Sequence, residues 1–277
     1  MKTPKQRKII WAGLAIFAVS CGGTALNPQL DGDQTKMNLG LRVQANTSKI
    51  TGALMNSLVE AQNLIVSSGQ ACVQEIELEL PKGLSCADVG FVRQSNVTCI
   101  EEMDEKDDDG TNQLEAKIKI QGPYVFDLVT GKSTPSLDDV IIPSGIYREI
   151  EFEFEDACSF DKNATIVLQG DMKDSSEVNH PFEFYLEYED DLEIESSTDV
   201  QVLEEKSNEI FANIVLNQWF SAVNFVQCID DGDLVATAGV IQISKETVAT
   251  GQCEDIYDRL LDTIKDAFEF EDHGFDD

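Results

Sequence analysis

From Cys72 to about Leu203 the apolar and polar residues alternate with a period of two. In Glu75-Ile76-Glu77-Leu78-Glu79-Leu80 every acid is followed by an aliphatic residue. The same alternation recurs in Glu115–Ile120, Glu149–Phe154 and Phe182–Tyr188. Successive side chains of a strand point to opposite faces, so each segment predicts a strand with one face on a core and the other in water. Parallel strands covered on both faces would read as unbroken apolar runs instead, which favours antiparallel pairing. Turn residues fall between the segments: Asp109-Gly110 suits a tight hairpin, Pro143-Ser144-Gly145 a reverse turn, and Gly122-Pro123 and Gly131 mark other corners. The pattern predicts an antiparallel β-sandwich of roughly seven to nine strands.

Two stripes have helical spacing instead. Ile50, Leu54, Leu58, Ala61 and Ile65 follow the capping candidates Thr47 and Ser48 and precede Gly69, predicting an N-terminal helix. Gly52 weakens it by about 1 kcal/mol relative to Ala. Ile256, Leu260, Leu261, Ile264 and Phe268 lie opposite Asp255, Asp258, Asp262 and Asp266 and predict a C-terminal helix. Between Ile210 and Phe220 both periods fit, with Trp219 and Phe220 expected in the core. Val223–Cys228 and Leu234–Ser244 flank Asp230-Asp231-Gly232-Asp233 and read as a hairpin.

The first residues are Lys2, Lys5, Arg7 and Lys8, then eleven apolar positions from Ile9 to Val19, then Ser20-Cys21-Gly22-Gly23. This is the three-part layout of a secretory signal, and the apolar run falls short of the roughly 20 residues a permanent transmembrane helix needs. Ala18-Val19-Ser20-Cys21 resembles the lipobox of bacterial lipoproteins, in which the cysteine becomes the lipidated first residue. That resemblance implies acyl chains on Cys21 as the membrane anchor. Because Gly22 stands where an inner-membrane retention Asp commonly sits, it also implies the outer membrane of the envelope. The expected organisation is a signal peptide over 1–20, a flexible tether over 21–37, an N-terminal helix plus sandwich over 38–203, a C-terminal hairpin and helix packed on the sandwich over 204–268, and an acidic tail over 269–277.

Six cysteines remain beyond Cys21: Cys72, Cys86, Cys99, Cys158, Cys228 and Cys253. An even number in an exported chain reads as disulfides, and six allow 15 connectivities. The pairing preferred among these is Cys86 with Cys99, Cys72 with Cys158, and Cys228 with Cys253. No C-x-x-C spacing supports a zinc site, and the two histidines, His180 and His273, lie far apart.

The charge changes the list of partners. The chain carries 20 Lys and Arg against 52 Asp and Glu, a net charge of −32. Such a surface repels phosphate backbones and anionic headgroups, which excludes nucleic acid and leaves the lipid as the route to a membrane. Apolar content of 42% is enough for a buried core.

Phe126-Asp127-Leu128-Val129-Thr130-Gly131, followed by Val140-Ile141-Ile142-Pro143-Ser144-Gly145-Ile146-Tyr147-Arg148-Glu149-Ile150, resembles the D-L-x-x-G … L-P-x-G-x-Y-x-x-I signature of bacterial lipoproteins carrying domain of unknown function 4382. Ile166–Leu186 continues in the same style. The resemblance covers about half of the chain beyond Cys21. It implies a mainly β protein with an immunoglobulin- or transthyretin-like sandwich, and it brings no catalytic residues.

Reaction centres with recognisable spacing are absent: there is no G-x-S-x-G, H-E-x-x-H, P-loop or Rossmann glycine fingerprint. His180 and His273 read as surface residues. A carboxylate pair of the glycosidase kind needs only two acids about 5–10 Å apart, so the sequence singles none out. The acidic loop Asp104–Gly110 offers hard oxygen ligands, with Asp104, Asp107 and Asp109 as candidate Ca²⁺ ligands, but it fails the EF-hand template because Ala116 stands where the bidentate Glu belongs. Solvated hairpin tips are the simpler account of this loop and of Asp230–Asp233. The expectation is therefore a non-enzymatic structural, adhesive or binding module with an envelope protein or glycan partner. A calcium-dependent binder and a carbohydrate-active enzyme are the alternatives.

Overall fold

The structure, a computed structural model, describes residues 34–45, 59–61, 63–103, 114–138, 140–188, 191–202 and 208–272. Residues 1–20, Cys21, Ile50, Leu54, Leu58, Asp104, Asp107, Asp109 and His273 lie outside them. The strands are β1 (Gln34–Gln44), β2 (Val59–Ala61), β3 (Leu64–Glu79), β4 (Val97–Met103), β5 (Leu114–Asp127), β6 (Lys132–Thr134), β7 (Ile141–Pro143), β8 (Gly145–Phe154), β9 (Ile166–Lys173), β10 (Asn179–Leu186), β11 (Asp191–Val202), β12 (Asn208–Val215), β13 (Ile241–Ile243) and β14 (Phe268–Asp272). The helices are α1 (Leu216–Trp219), α2 (Phe225–Asp230) and α3 (Ile256–Ile264). The protein is mainly β, as the alternation predicts.

β3 is the spine of the larger, ten-stranded sheet. Along one side it pairs with β9 over Leu64–Ala71 and then with β8 over Val73–Glu79, while β5 runs along the other side from Gln70 to Glu79. Its register shifts between Val66 and Ser68 and again between Val73 and Glu75. The second shift lies opposite Gly122 and Pro123, so the expected corner there is instead an irregularity inside β5. Ile76, Leu78 and Leu80 enter the core with Ala116, Ile118 and Ile120 of β5 and Ile150, Phe152 and Phe154 of β8, and the alternating glutamates take the opposite face. These segments fold as their period predicts because each residue sits across from one of the same polarity.

The smaller sheet runs β14-β12-β1-β7. β1 pairs in parallel with β12, and β10 pairs in parallel with β13, so the arrangement is not purely antiparallel. Met37, Leu39, Leu41 and Val43 of β1 are buried and join a single hydrophobic cluster with the residues of the larger sheet.

Four further expectations are corrected. The N-terminal helix does not extend over Ala61–Gly69: Ala61 lies in β2, and Ile65 and Gly69 lie in β3, where cross-strand pairing of Val59 with Val66 and Ala61 with Leu64 prevails over the helical spacing. The tether does not reach residue 37, because Gln34–Met37 already belong to β1. The hairpin over Val223–Ser244 is replaced by α2 and by the short β13 pairing with β10, since Phe225 and Cys228 need a face on the aromatic core. The tail is paired as far as Asp272, with Phe268–Asp272 forming β14 on β12. The C-terminal helix appears over Ile256–Ile264 and buries Ile256, Tyr257, Leu260 and Ile264, but it stops short of Phe268, the last residue of its predicted stripe, which begins β14.

Candidate functional site

The resemblance signature becomes two local structures. In Asp127–Gly131 the Asp127 carboxylate accepts hydrogen bonds from the Val129 and Thr130 amides at 2.9 and 3.0 Å, and Gly131 N–H closes the turn on the Asp127 carbonyl at 2.7 Å. Gly131 has φ +76°, the left-handed region open to glycine, and a Cβ there would stand 2.8 Å from the Phe211 ring. On Phe211 the guanidinium carbon of Arg42 lies 4.1 Å from the ring centroid, and Arg42 donates to Asn213 at 2.8 Å. In Pro143–Tyr147 the buried Tyr147 hydroxyl returns to the Pro143 carbonyl. The motif residues therefore close turns and seat side chains.

The outer face of β3, β5 and β8 carries the densest chemistry. Glu75, Glu77 and Glu79 stand opposite Glu153, Glu151 and Glu149 on β8 and opposite Gln121, Lys119 and Lys117 on β5. Directly opposed like charges destabilise a sheet, so the cations decide whether this face is tolerable. Lys119 bonds both Glu75, at 2.8 Å, and Glu77. Lys117 lies 3.1 Å from Glu77 and 3.6 Å from Glu151, bridging the two strands. Arg148 reaches Glu79 at 2.6 Å, and Gln121 donates to Glu75. Burial pushes the Glu77 carboxyl up, but the ammonium groups of Lys119 and Lys117 outweigh it and leave the group below its ordinary value. Burial pulls the Lys119 and Lys117 ammonium groups down, and their glutamate partners more than reverse this. Glu75, Glu77, Glu79 and Glu151 are each met by a cation.

His180 Nε2 lies 3.0 Å from Asp174 Oδ2, and Asp174 also accepts from the Ser176 and Val178 amides within the β9–β10 turn. The hydrogen bond with His180 is the main reason that Asp174 sits below its ordinary value. The carboxylates of the Asp230–Asp233 loop are turned to separate partners. Asp230 accepts from Ser175 N–H, Asp231 from the Gln227 side chain, and Asp233 from Thr250 and Gln252. Among the described residues no three His, Cys, Asp or Glu side chains are grouped to hold a metal ion.

The six cysteines of the body pair as Cys72–Cys158, Cys86–Cys99 and Cys228–Cys253, with Cα separations of 5.8, 5.9 and 5.8 Å. This is the preferred connectivity. Cys72 sits at the hand-off on β3 between β9 and β8, so its bond to Cys158 pins the β8–β9 connection to the spine. Cys228–Cys253 ties α2 to the turn that leads into α3. Trp219 is fully buried and donates to the Leu260 carbonyl at 2.8 Å, which makes it a core residue. No helix among the described residues is long and apolar enough to cross a membrane. The chain matches no family model, no curated protein and no solved structure.

Proposed function

We propose that the protein is an exported lipoprotein, held at the bacterial envelope by acyl chains on Cys21. Its body would be a transthyretin-like β-sandwich acting as a non-enzymatic structural, adhesive or binding module. The observation that carries this reading is the pairing of all six cysteines of the body, which belongs to an oxidising compartment outside the cytoplasm. The charged, apolar and Ser20-Cys21 segments of the first residues supply the matching export address. The anchor leaves the acidic body free to face other envelope components, and outer-membrane placement follows from Gly22 by resemblance to lipoprotein sorting. Mass spectrometry of the native protein tests the reading: it should find an N-terminal peptide beginning at an acylated Cys21, together with the three cystine-linked peptides. A Cys21→Ala variant should leave the membrane fraction. An intact, unacylated chain with reduced thiols in the cytosol would overturn it.

A further inference from the structure

The segment of residues 81–96 lies across the corner where β1 begins and β7 ends the smaller sheet. Gln94 treats β7 as a neighbouring strand would: its side-chain amide donates to the Ile141 carbonyl at 2.5 Å, and its oxygen accepts the Ile141 N–H at 3.3 Å. The other exposed possibility on that edge is closed too, since Pro143 has no N–H and its carbonyl is taken by Tyr147. Within the same segment the Gly90 carbonyl accepts from the Gln34 side chain, the first residue of β1, at 3.1 Å. Val89 is fully buried, and Leu84 and Phe91 pack partly on the core.

The segment is fastened at one end by Cys86–Cys99, and the Cys86 amide donates to Glu101 of β4 at 2.8 Å. This bond differs in setting from the other two. Cys228 and Cys253 are both buried, and Cys72–Cys158 exposes only its Cys158 side, whereas Cys86 and Cys99 are both only partly covered. A thiolate must approach a sulfur of the bond it attacks; Cys86–Cys99 offers both of its sulfurs, Cys72–Cys158 only that of Cys158 and Cys228–Cys253 neither, which ranks Cys86–Cys99 first for exchange.

The geometry points to a redox latch: residues 81–96 are a strap that seals the β7 edge and the start of β1, and Cys86–Cys99 keeps it shut. A dithiol reductant opens it. The reductant's thiolate attacks one sulfur, the Cys86–Cys99 bond breaks, both cysteines leave as thiols, and the reductant closes its own disulfide with loss of two electrons and two protons. The strap then loses its fastening, and the Ile141 backbone groups and the Gln34 side chain open to water.

Hydrogen–deuterium exchange on the full-length protein, read together with alkylation mapping under graded dithiothreitol, tests this. Cys86 and Cys99 should become alkylated before the other four body cysteines. At that point exchange at Ile141 should rise tenfold or more, while β9 and β10 stay unchanged. A Cys86→Ser/Cys99→Ser protein should reproduce the effect without reductant, and Gln94→Ala, with its disulfide intact, should raise exchange at Ile141 alone. The latch is overturned if Cys72–Cys158 or Cys228–Cys253 reduces first, if Ile141 stays protected once Cys86 and Cys99 are alkylated, or if Gln94→Ala leaves Ile141 unchanged.

Discussion

The Tyr147 hydroxyl donates a 2.7 Å hydrogen bond to the carbonyl oxygen of Pro143, four residues upstream, and both residues are buried. The bond ties the start of β8 to the end of β7 and so couples the two sheets where they connect through Ser144. Tyr147→Phe keeps the ring and leaves a buried carbonyl without its donor, an expected loss of about 1–2 kcal/mol in urea denaturation.

The same hydroxyl sets an alkaline limit. Burial drives it far above its ordinary value of 10, so the native state holds the proton that the unfolded chain releases. Stability is therefore fully present below pH 10 and falls as pH rises beyond it, by at most about 1.4 kcal/mol per pH unit for this group. Tyr185 and Tyr257 are raised as well, first by burial, so Tyr147→Phe should reduce this alkaline slope without abolishing it. A slope equal to the wild type's would mean that the hydroxyl ionises in the native protein.

The glutamate layer yields an acid-side prediction. Glu77 lies below its ordinary value of 4.5, so its contribution is present above that pH and disappears as pH falls through the lower folded value. Lys119→Met removes the cation shared with Glu75 and leaves two carboxylates on the sheet with less compensation. The half-buried setting puts the expected loss at neutral pH at about 1–3 kcal/mol, between exposed and buried pairs. The variant should also lose less stability than the wild type between neutral pH and about pH 3, because Glu77 no longer has a strong preference for its charged form. Urea midpoints across that range, compared for the two proteins, check both statements.

This layer was also the most legible part of the chain, and the reason is physical. Glu75–Leu80, Glu115–Ile120 and Glu149–Phe154 each have one face on the core and one in water, so burial writes itself into the sequence with period two. β1 was harder to read because its neighbours hide it on both faces: Met37, Leu39, Leu41 and Val43 alternate, but Arg42 is buried as well, against Phe211 and Asn213. Its parallel partner β12 is separated from it by more than 160 residues, a pairing that local patterns do not encode. Ile65 illustrates the opposite error, where helical spacing to Ala61 coincides with a β2–β3 pairing. The turn residues Asp127 and Gly131 were visible as a motif, whereas Phe211, which gives Gly131 its second reason to be glycine, carried no signal at all.

Gly131 makes that second reason measurable. An alanine there would adopt positive φ, which costs about 1–2 kcal/mol, and would also press on Phe211. Gly83 has a similar φ of +82° with nothing within 4 Å of the added methyl. Gly83→Ala therefore reports the backbone cost alone. Thermal melts should show Gly131→Ala as the more destabilised protein by about 1–3 kcal/mol, the cost of overpacking a seated ring. Equal losses would show that Phe211 moves aside freely.

Removing Cys72–Cys158 should be the most damaging disulfide change. The bond closes a span of 86 residues, against 13 for Cys86–Cys99 and 25 for Cys228–Cys253, and chain entropy makes longer closures worth more. It also holds the β8–β9 connection at the point where β3 changes partner, beside the Cys72 amide that donates to the Thr165 carbonyl at 2.8 Å. A Cys72→Ala/Cys158→Ala protein should lose about 4–5 kcal/mol, which for a body of this size is roughly 10 °C or more in Tm. Removing Cys86–Cys99 should lower Tm less, because its strap opens locally while the ten-stranded sheet stays paired. The order of the two melting temperatures, measured by calorimetry on the oxidised proteins, decides the matter: if the Cys86–Cys99 variant melts first, the hand-off on β3 is held by its strand pairing and not by the cystine.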